Sequence, residues 1–377
     1  MTKVCHMTSA HGPEDVRIFH KECTTLARAG YEVYLVERGE SYEKNGVHIV
    51  GIGQVNVRRM TRMLCVTRQI YRAALAVDAD IYHFHDPELL PYGRKLKKLG
   101  KTVIFDSHEN TADQLLEKPW IPKVLRKLVY RIYSAYQRRS CRELDAVISV
   151  SPHICEFFSA FHPRVVMVTN YPQYQEVAHS DAGRDRTLCF AGGITAQWNH
   201  ERIIRALPGT DARYVLVGPP DQAYLERLRN LPGWERVEYR RKIPHEEVAQ
   251  VMSQCVAGVS VLSYSYNTGF RRGTLGNTKI YEEMMAGLPV ICSKSQLWQE
   301  MVDRYHCGIT VEPDSDEEVA AAIRYLLDHP DEAREMGENG RRAVRETYNW
   351  GVEEKKLLSL YADLSKGAGP EAEHCGR

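Results

Sequence analysis

Two stretches of this 377-residue chain carry residue types at spacings that could do chemistry. The first is NTKIYEEMMAGLPVI, Asn277 to Ile291. Ile280, Met284 and Met285 have the spacing of an apolar helical stripe, which leaves Lys279 and Glu282 for other faces. Gly287 suits the helix C-cap, Leu288-Pro289 the turn after it, and Val290-Ile291 a buried strand. A helix N-terminus attracts anions through unpaired N–H groups and its dipole. Lys279 adds a positive charge where a phosphate would sit. Glu282, one turn on, can accept two hydrogen bonds from the vicinal hydroxyls of a ribose. An amphipathic surface helix with a lysine and a glutamate on its wet side would carry the same letters.

The second stretch is split. HFHDPELL begins at His83, and DSHEN begins at Asp106; each closes an apolar run, Ile81–Phe84 or Thr102–Phe105. Alternation puts His83 and His85 on one face. An H-x-H pair suits a metal ion, but no third ligand follows at a diagnostic spacing. The expectation is therefore a polar cluster at a strand end, with no metal. Ligands of open α/β sheets bind beyond the strand C-termini, which places His108 and Glu109 well.

The elements that must position these groups follow from periodicity. Lys3–Thr8 reads as a strand, a helix runs from about Val16 to Gly30, and Tyr31–Val36 is the next strand, a Rossmann-like opening. Further strands are expected at Val47–Val50, Ala146–Val150 and Val165–Val168, with an arginine-rich helix from Val57 to Ala76. The polar stretch Gln173–Asp185 reads as a linker. Leu188–Ala191, the glycines Gly192 and Gly193, and a helix near His200 then repeat the opening. Strands follow at Tyr214–Val217, Val237–Tyr239, Val256–Leu262 and Gly308–Val311. Ser315 is a helix N-cap, Pro330 opens another helix, and Asn349–Asp363 is the last.

Composition bounds the function. The chain is 43% hydrophobic and 26% charged, as in soluble globular proteins. No apolar run approaches the ~20 residues of a spanning helix, and the first residues lack a signal-peptide core. Ten cysteines occur without a CxxC pair, which argues against a structural zinc site and fits reduced thiols in a cytosol. Residues 1–170 hold 25 Lys+Arg against 18 Asp+Glu, whereas the rest of the chain is acidic. Much of that excess lies in Lys118–Arg142, which has eight basic residues, no acidic one and an apolar-aromatic face. Such a helix can lie on anionic lipid or pack on the sheet with a solvated basic face. No nucleic-acid module is visible.

NTKIYEEMMAGLPVI resembles the donor-nucleotide motif of retaining glycosyltransferases of family four, as found in bacterial surface-polysaccharide assembly. HMTSAHGPEDVRIFHKEC, HFHDPELL, FDSHEN and GGIT extend that resemblance over nearly the whole chain. It implies an α/β chain of the GT-B fold, two Rossmann-like domains facing across a cleft. An acceptor-side domain would occupy 1–170, a linker 171–186 and a nucleotide-sugar domain 187–348. A helix at 349–366 would cross back to the first domain, ahead of a disordered tail, 367–377.

The resemblance implies roles residue by residue. Glu282 would bind the ribose, with Lys279 near the diphosphate and Asn277 leading into their helix. Gly12, Gly192 and Gly193 would let backbone approach the donor phosphates, and the backbone near Ile243 would meet the base. His108 would orient and stabilise the reacting groups, with Glu109 beside it. Arg17 would touch acceptor or phosphate, or be an exposed helix charge; His85 and Asp86 fall on the acceptor side. Two departures stand out. Thr274 occupies a position where many members have a second glutamate, and Gly193 lies where a basic residue is usual. Phosphate charge must then be met elsewhere, with Arg241 among the candidates.

The expected activity is retaining, metal-independent transfer from a nucleotide-sugar, with UDP first, to a saccharide or lipid-linked saccharide. No cofactor is expected. The location would be cytoplasmic, with membrane contact through 118–142. The competing readings are a nucleotide-sugar epimerase of the same architecture and a catalytically silent sugar-nucleotide-binding subunit.

Overall fold

The computed structural model describes residues 1–54, 61–118, 120–176 and 186–366. The chain forms two units. Met1–Asn170 with the segment from Gly351 onward makes the first, and Tyr171–Trp350 the second.

The first unit is built on eight strands: β1 (Lys3–Met7), β2 (Glu32–Glu37), β3 (Tyr42–Lys44), β4 (Val47–Gly51), β5 (Ile81–Phe84), β6 (Thr102–Ser107), β7 (Ala146–Ser149) and β8 (Val165–Met167). Their spatial order is β3-β4-β2-β1-β5-β6-β7-β8. All neighbours pair parallel except β3 with β4. Central parallel strands are covered on both faces, which is why β5 and β7 are buried at every position. In the β1–β5 register His6 stands opposite His83, and the cluster expected at this strand end becomes a three-stranded one.

The second unit has six strands: β9 (Thr187–Ala191), β10 (Arg213–Val217), β11 (Val237–Arg240), β12 (Ala257–Ser260), β13 (Val290–Ser293) and β14 (Gly308–Val311). Their order, β11-β10-β9-β12-β13-β14, reverses direction after β9. That reversal is the dinucleotide-fold order, whose ligand crevice lies beyond the strand C-termini.

Three features depart from the sequence expectations. The first helix is π-helical over Ile18–Cys23 before becoming α-helical over Thr24–Arg28; Glu22 N–H bonds the Arg17 carbonyl five residues back. The wide turn aims Arg17, Lys21 and Glu22 inward, and all three are buried. The short antiparallel strand β3 was not expected. Its signal was Asn45-Gly46, both at positive φ, the strongest short hairpin cue. The arginine-rich helix is described only from Arg62, as a π-helical turn running into Thr67–Val77; Arg58 and Arg59 lie outside the described residues. So do most of the linker and the 367–377 tail.

The basic segment forms a helix over Lys123–Cys141 that is oriented unusually. Its buried positions are Ser134, Gln137, Ser140 and Cys141. Val124, Leu128 and Ile132 are 88%, 55% and 63% exposed. The apolar face thus points outward. No helix among the described residues is long and apolar enough to cross a membrane.

The helix Trp350–Lys366 returns to the first unit. Leu357, Leu360, Tyr361 and Leu364 are buried there. Glu353 accepts the Thr169 backbone N–H at 2.8 Å. Truncating Leu357, which is fully buried, should cost about 2–5 kcal/mol through lost transfer energy and a cavity. Leu357→Ala in chemical denaturation is expected to show that loss; a change under about 1 kcal/mol would mean this helix does not close the unit.

Candidate active site

In the first unit, the ends of β1, β5 and β6 lie side by side and release the loops that carry His11, Asp86 and His108. Those three, with His85, Glu109 and Tyr133 of the basic helix, line a cavity of about 920 Å³. Asp86 organises the loop after β1. Its Oδ2 accepts the Ser9 amide at 2.5 Å, the Ala10 amide at 3.1 Å and the Thr8 hydroxyl at 2.9 Å. Its Oδ1 lies 3.2 Å from His11 Nδ1. Burial alone would push this carboxyl up, but His11 and the two amides hold it well below the usual range. The converse holds for His11: burial works against its charge, and Asp86 outweighs burial and raises the pKa.

His108 is half-buried, with its Nε2 3.0 Å from Asp106 Oδ2 and 3.2 Å from His85 Nδ1. Asp106 is buried and lies well below its usual pKa: burial opposes the charge, and Arg17 and His108 sustain it. The chain thus presents an imidazole backed by an ionised carboxylate, an arrangement that can orient a hydroxyl or exchange a proton with it. Glu109, beside it, is exposed and hydrogen-bonded by Gln114.

Arg17 requires a correction. It is not an exposed charge, because it is 3% exposed. Its Nε and NH2 donate to the two Asp106 oxygens at 2.9 and 3.1 Å, and NH1 to the Val168 carbonyl at 2.9 Å. The π-helical turn carries it inward. His85 is likewise buried, as part of the cavity wall behind His108. Gly12 is exposed, and a Cβ there would meet nothing within 4 Å, so packing does not require glycine.

In the second unit, the motif helix spans Thr278–Met285 and Asn277 caps it, accepting the Lys279 amide at 3.4 Å. Lys279 crosses directly over Gly192 at the end of β9. A Cβ on Gly192 would stand 1.9 Å from Lys279 Cε, and one on Gly218 2.1 Å from the Gly192 carbonyl oxygen. Gly192 thus makes the bed for the lysine, and Gly218 on the adjacent strand end lets the Gly192 backbone sit close. Its Nζ lies 4.9 Å from the centre of the Trp198 ring. Burial lowers the Lys279 pKa, and Glu282 partly offsets that.

Glu282 is half-buried, whereas Glu283 is fully buried and takes the Ser260 hydroxyl at 3.0 Å. The two adjacent glutamates therefore have opposite fates, and only Glu282 has an open side. Gly193 has open space around it. Arg241 is exposed and lines a separate hollow of about 430 Å³ with Pro219, Pro220 and Gln222. Ile243 packs against the cluster containing Ala191 and Val217. Thr274 Oγ1 accepts the Gly276 amide at 3.1 Å, which shapes the loop before the cap.

Residues 175–343 match the family described as "Glycosyl transferases group 1", and residues 16–170 match "Glycosyltransferase Family 4". This chain is a glycosyltransferase. It is 22% identical over 292 residues to the D-rhamnosyltransferase WbpZ of Pseudomonas aeruginosa, covering 73% of this chain and 71% of that one. An MMP alpha-(1->4)-mannosyltransferase of Mycolicibacterium hassiacum is 32% identical over 81 residues, or 21% of this chain and 20% of that one. Sucrose-phosphate synthase from Thermosynechococcus elongatus superposes with a TM-score of 0.77 at 17% identity, covering 98% of this chain and 100% of that structure. Anabaena HepE in complex with UDP and glucose gives 0.72 at 13% identity, covering 96% and 100%. The glycosyltransferase therefore has the GT-B fold.

Sequence reasoning missed His11 and Asp106. Asp106 was legible as the polar end of a buried strand; His11 lay one residue before the glycine that drew attention. The raised His11 pKa means that its contribution to stability is full below about 6.5, the ordinary histidine value, and is lost as pH rises through the folded value. Histidine titration by NMR should show His11 above that value in the native chain and back at or below it in Asp86→Asn.

Proposed function

We propose that this glycosyltransferase moves a sugar, with retention of configuration and without a metal at the transfer step, from a UDP-sugar to a saccharide or lipid-linked saccharide in surface polysaccharide synthesis. The observation that carries the donor side is Lys279 lying across Gly192 at the head of a capped helix, with Glu282 open one turn further on. A diphosphate at that helix N-terminus would meet Lys279 and unpaired amides, which can stabilise the leaving group as charge develops. Glu282 would take the two ribose hydroxyls. The UDP complex of HepE supports uracil as the base. Arg241 and the backbone near Ile243 are the proposed surroundings of base and phosphate.

The first unit would receive the acceptor in the cavity beside His108. There His108, oriented by Asp106, would position the attacking hydroxyl, with Glu109 and the Asp86–His11 pair on the same wall. The outward apolar face of the Lys123–Cys141 helix supports reversible membrane contact. Trp120, Leu128 and Ile132 would insert at the interface, and basic neighbours such as Lys127 and Arg131 would meet anionic headgroups at about 1 kcal/mol each. The proposed location is the cytoplasmic face of the membrane.

Thermal unfolding with UDP, GDP and their sugar conjugates tests the donor side. At about a hundred times the dissociation constant, a ligand should stabilise the chain by ~2.7 kcal/mol. UDP is expected to raise Tm in wild type and to lose most of that effect in Glu282→Ala and in Gly192→Ala, where the new methyl displaces Lys279. A shift with GDP alone would reassign the base, and a shift that survives both variants would move the donor elsewhere.

Sedimentation with phosphatidylglycerol vesicles tests the surface. Leu128→Ser combined with Ile132→Ser should release the protein, as should high salt. Equal binding to neutral vesicles would remove the electrostatic part of the proposal.

A further inference from the structure

Behind the first unit's cavity lies a cluster of which only His85 reaches the cavity wall. His6 on β1, His83 and His85 at the end of β5, and Glu22 on the π-helical turn converge on one point. All four are buried, none more than 2% exposed. Glu22 Oε2 lies 4.0 Å from His6 Nδ1, 4.0 Å from His83 Nε2 and 3.9 Å from His85 Nε2. His6 Nδ1 and His85 Nε2 are 2.9 Å apart. Among the described residues, neither Glu22 Oε2 nor His83 Nε2 has a hydrogen-bond partner. Buried polar atoms without partners are uncommon and costly, and here two of them aim at the same point.

We infer that His6, His83, His85 and Glu22 form a closed, four-ligand site for a divalent transition-metal ion of the zinc type. Zinc–ligand bonds of about 2.0–2.1 Å in a tetrahedron place the ligand atoms about 3.4 Å from one another, a value that the separations of 2.9 to 4.0 Å within this cluster bracket. Three imidazoles and one carboxylate are a borderline-soft nitrogen-rich set, which suits zinc or cobalt better than magnesium or calcium.

The outer nitrogens are held as metal-bound imidazoles require. The Tyr361 hydroxyl lies 2.9 Å from His83 Nδ1 and 3.2 Å from His6 Nε2. His85 Nδ1 faces His108 Nε2 at 3.2 Å and Asp106 Oδ2 at 3.4 Å. Each ligating nitrogen is thereby left pointing inward.

Charge supports the same inference. Arg17 is shared between two buried carboxylates, Asp106 and Glu22, and burial opposes the charge on Glu22. A group so enclosed needs a proton or a cation to neutralise it, and three ring nitrogens within 4.0 Å of Glu22 Oε2 favour the cation. Four protein ligands leave no open position, so the ion has a structural role. It ties β1, β5 and the first helix together and, through His85, fixes the back of His108.

The test uses the full-length chain, produced separately in medium supplemented with Zn²⁺ and with Co²⁺ and passed over a chelating resin. Mass spectrometry of the metals is expected to find about one ion per chain. The cobalt form should show the visible absorption of four-coordinate cobalt. Glu22→Gln and His83→Gln should each lower the bound metal at least about tenfold, while His48→Gln, at an exposed imidazole, should leave it unchanged. Substoichiometric metal in wild type from both media would overturn the inference, and a proton on Glu22 would then be the neutralising species. Metal retained equally by Glu22→Gln and His83→Gln would also overturn it, because the ion would then be adventitious. UDP binding to the second unit reports separately on the proposed activity.

Discussion

A guanidinium shut away from water holds the first unit's site in place. Arg17 reaches from the start of a π-helical turn to the end of β6, grips both oxygens of Asp106 and donates to the Val168 carbonyl. Its Nε also lies 3.0 Å from Glu22 Oε1. Removing one partner of such a buried pair leaves an uncompensated charge, which typically costs about 3–5 kcal/mol. The pair also sets geometry. Because Arg17 keeps Asp106 ionised, Asp106 can accept from His108 on its open side and lie against His85 on its buried side. The side chains at the cavity wall are aimed by a charge that the cavity never sees.

The second unit solves its positioning problem with absence. Gly192 and Gly218 lie at neighbouring strand ends, and neither could carry a methyl group without striking Lys279 or the backbone. A lysine laid across Gly192 has few conformations, and Trp198 under its ammonium removes more. Asn277 then fixes the first turn of the helix. The cation and the helix terminus arrive together because the Gly192 turn and the motif helix are packed side chain to backbone. This explains why NTKIYEEM and GGIT, so far apart in the chain, act as one structure.

The parallel sheets were legible because buried parallel strands are short apolar runs ended by polar letters. Ile81–Phe84 and Gly308–Val311 could be delimited to the residue. The placing of Glu282 was legible for a similar reason, since helical spacing left it on a face other than the apolar stripe. What could not be read was pairing at a distance. Arg17 read as an acceptor or phosphate contact or as an exposed helix charge, because nothing in VRIFHKEC announces a π-helical turn. His83 and His85 lacked visible company because His6 and Glu22 meet them only through β1–β5 register and that same turn. Nor did the apolar residues of Lys118–Arg142 show by spacing alone that they face outward, since an inward face would have had the same period.

The return of the Trp350–Lys366 helix also orders events during synthesis. The first unit leaves its own fold at Asn170 and is not complete until Leu357, Tyr361 and Leu364 have been made. A nascent chain elongating at about 5–20 residues per second therefore exposes the first unit's unfinished surface for roughly 10–40 seconds while the second unit is translated. During that interval His6 and His83 lack the hydroxyl that later joins them. The unit begun first is the unit finished last, so a ribosome that stalls within Tyr171–Trp350 releases a protein that has every strand of its first sheet and lacks the closing helix.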